Sequence, residues 1–181
     1  MIKTERLILR PWQETDATEL YILASDPDIG PRAGWPIHQS PQESLKVIQE
    51  MFQGSYTWAI LTHDQELVGC IGIKFPPNTT LELSDTEAEL GYWIGKTYWG
   101  KGYMPEETRA IMDYAFQILQ IQTLWCGYYE GNNQSWRVQE KCGFQYAFSK
   151  ENIYLPLLDE YRTEHFSYCH RPSISELSKK D

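Results

Sequence analysis

The chain has 181 residues, 41% of them hydrophobic and 14% aromatic, and carries a formal net charge of −9. That length predicts one domain over residues 1–171 with a single substantial core, followed by a polar, loose tail at 172–181. No apolar run approaches the roughly 18 residues of a membrane helix, and Glu5, Arg6 and Arg10 interrupt the N-terminal stretch, so neither a span nor a signal peptide is predicted. The acid excess argues against nucleic acid and anionic membrane as partners. It suits cationic partners such as amines or basic peptides, and solubility alone accounts for it equally well.

Residues Thr4–Arg10 alternate around Leu7 and Leu9, which predicts a first strand. Asp16 followed by Glu19 predicts a capping box for a first helix with Leu20, Leu23 and Ala24 on its apolar face. Pro27–His38, with three prolines, predicts a loop. Ser40, Pro41 and Glu43 then mark a second helix start, with Leu45, Val47, Ile48, Met51 and Phe52 as the buried side. Tyr56–Leu61 and Leu67–Phe75 predict a hairpin turning at His63–Glu66, Pro76–Asp85 a polar loop, and Glu87–Ile94 a fourth strand. Ala110, Ile111, Tyr114, Ala115, Ile118 and Leu119 form a helical stripe after Pro105. Thr123–Tyr129 predicts a fifth strand. Asn132 caps a short helix stopped by Gly143, and Phe144–Phe148 and Glu160–Cys169 predict the last strands. The order is β-α-α-β-β-β-α-β-α-β-β, an α/β fold with a mixed sheet. Cys70, Cys126, Cys142 and Cys169 lack C-x-x-C spacing and lie mostly in apolar runs. Buried thiols of a cytoplasmic protein are expected, and with the histidines scattered, no metal site.

The stretch Gly95-Lys96-Thr97-Tyr98-Trp99-Gly100-Lys101-Gly102-Tyr103-Met104 joins the fourth strand to a helix N-terminus. Such a glycine loop leaves several backbone N–H groups free, backed by the positive end of the helix dipole, and predicts a phosphate or pyrophosphate cradle. A tight turn with a glycine cap is the plainer alternative. A phosphate loop of the G-x-x-x-x-G-K-[ST] type is excluded because Leu90 stands where its first glycine belongs. The dinucleotide fingerprint fails because Pro105 takes the third glycine place.

The acyl-CoA loop (Q/R)-x-x-G-x-(G/A) of the GNAT N-acetyltransferases fits Trp99–Met104 through Gly102, with Trp99 and Met104 departing from it. The string Tyr-Trp-Gly-Lys-Gly-Tyr resembles the ribosomal-protein N-acetyltransferase branch of that family. About thirty residues on, Asn132-Asn133-Gln134-Ser135-Trp136-Arg137-Val138-Gln139-Glu140-Lys141-Cys142-Gly143-Phe144 resembles its N-x-x-S-x-R-V-x-E-K-x-G-F segment. Thr4–Pro11 resembles the opening of the same branch. The β-α order is also that of the GNAT fold, and the resemblance spans roughly residues 3–168.

The resemblance implies acetyl-CoA as cosubstrate, with no metal, and an amine acceptor: a protein N-terminus or a small amine. Its pyrophosphate would sit on the N–H groups of Gly100, Lys101, Gly102, Tyr103 and Met104. The pantetheine arm would run beside Trp93 and Ile94, where the fourth and fifth strands splay apart, and Asn132 would bond the arm. A backbone N–H near Tyr92 or Trp93 would polarise the thioester carbonyl. Ser135 would protonate the departing thiolate, with a tyrosine or water as rival. Glu89, followed by Glu87, is the candidate base, and solvated strand carboxylates are the plainer reading of both. Neutralising a lysine at pH 7 costs roughly 4.6 kcal/mol against about 1 for a protein α-amine, so a site with one carboxylate suits α-amines. Gly30–His38 and Tyr146–Asp159 are expected to shape the acceptor pocket. A non-catalytic acyl-CoA-binding module is the alternative outside enzymes, and monomer and homodimer both stay open.

Overall fold

A computed structural model describes residues 1–54 and 56–173. Eight strands form one sheet in the order β1-β2-β3-β4-β5-β6-β8-β7. They are β1 Ile2–Lys3, β2 Leu7–Pro11, β3 Thr57–Thr62, β4 Leu67–Lys74, β5 Glu87–Ile94, β6 Thr123–Tyr129, β7 Gln145–Leu155 and β8 Glu160–His170. Every neighbouring pair is antiparallel except β5 and β6, which run parallel. The helices are α1 Ala17–Ala24, α2 Gly30–Ala33, α3 Pro41–Val47, α4 Tyr103–Gln117 and α5 Asn133–Lys141.

Strand alternation divides the core. Ala88 and Leu90 of β5 join Met104, Ile111, Met112, Ala115 and Phe116 of α4 on one face. On the opposite face Ala59, Leu61 and Cys70 pack under Leu20 and Ala24 of α1 and Ile48 beyond α3, with Trp93 of β5 at the margin. The predicted cap of α3 forms: Ser40 Oγ accepts from the Glu43 N–H at 3.1 Å, and Glu43 accepts from the Gln39 N–H.

Several local expectations are corrected. Asp16 does not cap α1; its carboxylate is claimed by the Arg10 guanidinium at 2.7 Å and by the Gln13 N–H, because a buried acid gains more from a bidentate cation than from a helix end. The first strand breaks at Thr4–Arg6, giving β1 and β2, and the Pro27–His38 loop holds the single turn α2. Met51 and Ile118 are exposed: Met51 faces outward from the π-helical turn Ile48–Phe52 that continues α3, and Ile118 is the C-cap of α4. Helix α4 begins at Tyr103 with Pro105 inside its first turn, where a missing N–H costs nothing. Strand β7 runs to Leu155, well past Phe148, as a bulged edge strand whose polar Ser149–Asn152 faces solvent. Of the tail expected at 172–181, residues 174–181 lie outside the described residues.

Among the described residues, no helix is long and apolar enough to cross a membrane, and no group of acidic, cysteine or histidine side chains could hold a metal. Cys70, Cys126 and Cys142 are buried and Cys169 is half-buried, all as free thiols.

Candidate active site

The parallel pairing of β5 with β6 covers Glu87↔Thr123 to Leu90↔Cys126 and stops there. Beyond it the strands diverge, leaving Gly91–Ile94 and Gly127–Tyr129 on either side of a wedge. The phase of β5 can be read from its neighbour. The Gly95 N–H donates to Val68 O of β4 at 2.8 Å, so Trp93 and Gly91 also turn their peptide groups toward β4. Tyr92 and Ile94 therefore turn theirs into the wedge. The same phase follows from the other edge, where the Gln122 N–H donates to Thr86 O at 2.8 Å, and the Ile94 carbonyl accepts from the Trp99 indole at 3.0 Å. Of the two backbone groups expected to polarise a carbonyl, it is the Tyr92 N–H that faces the wedge.

The wedge runs out onto the glycine loop. Gly100 and Gly102 both adopt left-handed backbone, with φ of +74° and +77°. Among the described residues, the N–H groups of Gly100, Lys101, Gly102, Tyr103 and Met104 have no backbone acceptor, and α4 starts its bonds with Glu106 N–H to Gly102 O. Five consecutive N–H groups thus lie open at the positive end of the α4 dipole, a donor set that suits a pyrophosphate. Arg6 fastens the patch from β2's approach. Its Nε donates to Glu106 Oε2 at 2.7 Å, its Nη1 to Lys101 O at 2.8 Å, and its guanidinium lies 4.9 Å from the Tyr103 ring centre. Lys96, by contrast, is ion-paired with Asp28 inside a short turn, which agrees with the exclusion of a nucleotide phosphate loop.

Across the wedge, Asn132 Oδ1 accepts from the Ser135 N–H at 3.3 Å, so the cap forms as expected. Replacing Asn132 with Asp keeps that cap and exchanges the amide donor for an anion. We expect stability within about 1 kcal/mol of wild type and weakened acetyl-CoA affinity by calorimetry. Unchanged affinity would leave Asn132 the capping role alone. Tyr92 reaches across to the same helix, its phenol 3.2 Å from Ser135 Oγ and 3.1 Å from Ser135 O. Burial holds the phenol well above its ordinary pKa, so it stays protonated. Gln139, fully buried, donates to Ser135 Oγ at 3.4 Å and accepts from Ser167 Oγ. The two rival proton donors, Ser135 and a tyrosine, are therefore one hydrogen-bonded pair.

The carboxylates lie on the sheet face opposite α4. Glu87 is held by the Trp125 indole at 2.9 Å and by Ser84, and the Trp125 bond lowers its pKa first. Glu89 is buried with both oxygens engaged: Oε1 by Lys74 Nζ at 2.9 Å, Oε2 by the Thr79 hydroxyl. Sequence reasoning missed a third acid, Glu164 of β8. It pairs in register with Tyr129 of β6 and is buried with its carboxylate leaning over Gly127. A Cβ on Gly127 would lie 2.5 Å from Glu164 Oε1. Desolvation, then the charge of Glu89, pushes Glu164 up to about 7. Nothing local in the sequence marks it, because its neighbours come from β4, β5 and β6.

Residues 6–145 match the acetyltransferase (GNAT) domain family. The chain belongs to the GNAT N-acetyltransferases. It is 28% identical over 152 residues to the uncharacterised N-acetyltransferase YoaA of Bacillus subtilis, covering 80% of this chain and 82% of that one. Its fold superposes on spermidine N-acetyltransferase from Vibrio cholerae, solved with CoA and spermine, with a TM-score of 0.74 and 17% identity over 94% of this chain and 96% of that one. It also superposes on ribosomal-protein-S5-alanine acetyltransferase from Vibrio fischeri, with a TM-score of 0.73 and 14% identity over 95% and 97%. GNAT enzymes use acetyl-CoA and an amine acceptor.

Proposed function

We propose that this GNAT enzyme transfers acetyl from acetyl-CoA directly to a primary amine, with a protein N-terminal α-amine as acceptor. The observation that carries the reading is the wedge: β5 and β6 part after Leu90 and Cys126, beside five N–H groups without backbone acceptors on the glycine loop. Bound there, acetyl-CoA supplies an activated acyl group. The chain's own residues supply the rest. Tyr92 presents an N–H where the carbonyl oxygen gains charge. The Tyr92–Ser135 pair holds a hydroxyl proton for the departing sulfur, and Trp93 and Asn132 line the arm. Gly100, Lys101, Gly102, Tyr103 and Met104 hold the pyrophosphate, and Ile94 borders the arm opposite.

An α-amine needs about 1 kcal/mol to become neutral at pH 7 against roughly 4.6 for a lysine, which favours the N-terminal acceptor. The acceptor approaches from the face bearing Trp93, Tyr129 and the α2 loop, which Arg162 ties down through Pro31 O. A polyamine is the second reading, favoured by the two buried acids Glu89 and Glu164 on that face.

The experiment is a panel of peptides with free N-termini, polyamines and other small amines, assayed for acetyl-CoA-dependent release of CoA. Melting in the presence of acetyl-CoA, ATP or NAD accompanies it. Acetyl-CoA should raise the midpoint by binding linkage while ATP and NAD leave it unchanged, and peptides should turn over fastest. Equal stabilisation by ATP would sink the cosubstrate assignment. Turnover of polyamines alone would hand the acceptor to the second reading.

A further inference from the structure

Four charged side chains crowd the head of the wedge on the face opposite α4. Only glycines flank the point where β5 and β6 part on that face, Gly91 on one strand and Gly127 on the other. Lys74 lies over Gly91, where an added Cβ would come within 3.0 Å of its Cε, and Glu164 lies over Gly127. Glu89 sits between them, engaged by Lys74 and Thr79. Lys150, from β7, points its ammonium at Thr80 O and over the Phe166 ring. From the far side come Tyr129, a half-buried phenol raised to about 12, and Arg162, stacked 5.2 Å from the Tyr129 ring centre.

The two acids differ in what their oxygens can still do. Both oxygens of Glu89 are engaged within the protein, one by Lys74 and the other by Thr79. Among the described residues, neither oxygen of Glu164 receives a hydrogen bond, although the side chain is buried. Neither oxygen is sealed from solvent, so a donor that enters the wedge can reach them without breaking an internal bond. We propose that Glu164 is the catalytic base that takes the proton from the acceptor amine, and that the Lys74–Glu89 pair is its positioning partner. This rests on the amine-transfer reading above. The ammonium gives one proton to the Glu164 carboxylate, which later passes to solvent. The freed nitrogen lone pair forms the bond to the acetyl carbon, and the C–S bond breaks with its electrons on sulfur. The Ser135–Tyr92 hydroxyls protonate the sulfur and recover that proton from solvent, while the second nitrogen proton leaves through Glu164 once the first has passed to solvent, so one proton is released overall.

Direction follows from the neighbours. Burial and the Glu89 charge raise the proton affinity of Glu164, and Lys74 and Lys150 moderate it, leaving an acid that titrates near 7. A base of that kind is half ionised at neutral pH and accepts a proton readily.

The test compares wild type with Glu164→Gln, Glu89→Gln and Gly127→Ala. Glu164→Gln should keep its melting midpoint and its acetyl-CoA affinity by calorimetry, lose on the order of 10²–10³-fold in turnover, and lose the acidic limb of the pH–rate profile. In ligand-free wild type, the Glu164 carboxyl ¹³C signal, assigned by its absence in Glu164→Gln, should titrate near 7. Glu89→Gln should move that titration down, by removing the neighbouring anion, without abolishing turnover. Gly127→Ala leaves the acid in place but displaces its carboxylate, and should slow turnover with affinity intact. Normal turnover and an unchanged pH profile in Glu164→Gln would overturn the assignment, as would a Glu164 signal that titrates at an ordinary carboxylate value. A wild type that releases no CoA with any amine would instead sink the underlying transfer reading and the assignment with it.

Discussion

Gly102→Val will abolish measurable acetyl-CoA binding while leaving a folded protein. Gly102 has φ of +77°, a region that β-branched residues scarcely enter, and forcing one there costs about 1–2 kcal/mol. Space is not the obstacle, since a Cβ would meet only Arg6 Nη2 at 3.5 Å. The loss arises because relaxing φ rotates the N–H groups of Gly102 and Tyr103 away from the anion. Each hydrogen bond to a charged group contributes about 1.5–3 kcal/mol, so losing two weakens binding by on the order of 10² to 10⁴-fold. The melting midpoint should fall by roughly 2–8 °C, from about 2–4 °C per kcal/mol for a chain this size. Calorimetric titration with acetyl-CoA decides it, and wild-type affinity in the variant would move the pyrophosphate elsewhere.

Phe166→Ala should give the largest loss of stability among the changes considered. Phe166 is fully buried on β8, packs against Phe148 at 5.2 Å between ring centres, and lies beneath Lys150. Truncating a buried phenylalanine costs about 3–5 kcal/mol, through lost transfer energy and the cavity left behind. Urea unfolding followed by circular dichroism measures it. A loss under about 1 kcal/mol would mean that the β7–β8 hairpin closes over the cavity. Because Phe166 is two residues from Glu164 on the same face, turnover in the folded fraction should drop as well.

What the sequence reveals about this site follows the range of the interactions. Ser40, Asn132 and Gly143 are legible because caps and left-handed stops are decided within four residues. The Gly100–Met104 loop is legible for the same reason, and the divergence of β5 from β6 follows from the family resemblance it completes. Asp16 misleads because a partner six residues away, Arg10, outbids the helix end. The length of β7 is hidden because an edge strand facing solvent reads like a polar loop. Glu164 is hidden most deeply. It lies in an alternating strand pattern where a carboxylate reads as solvent-facing, and only the pairing of β6 with β8 and the bareness of Gly127 turn it inward.

The Arg6 contacts span 95 residues to Lys101 and 100 to Glu106. Contacts at that separation form only after much of the chain has been brought together, since closing long loops costs entropy before any contact rewards it. A segment cut to hold both signature stretches, from Glu87 to Gln145, would carry the letters of the cofactor site without the residue that pins its loop. Thr4 adds to the dependence, bonding Glu107 on the buried side of α4 at 3.0 Å. The seat of α4 thereby depends on the segment between β1 and β2 as well as on its own sequence. In this chain the opening residues, remote from the wedge in sequence, hold the loop and the first turn of α4 at the cofactor site.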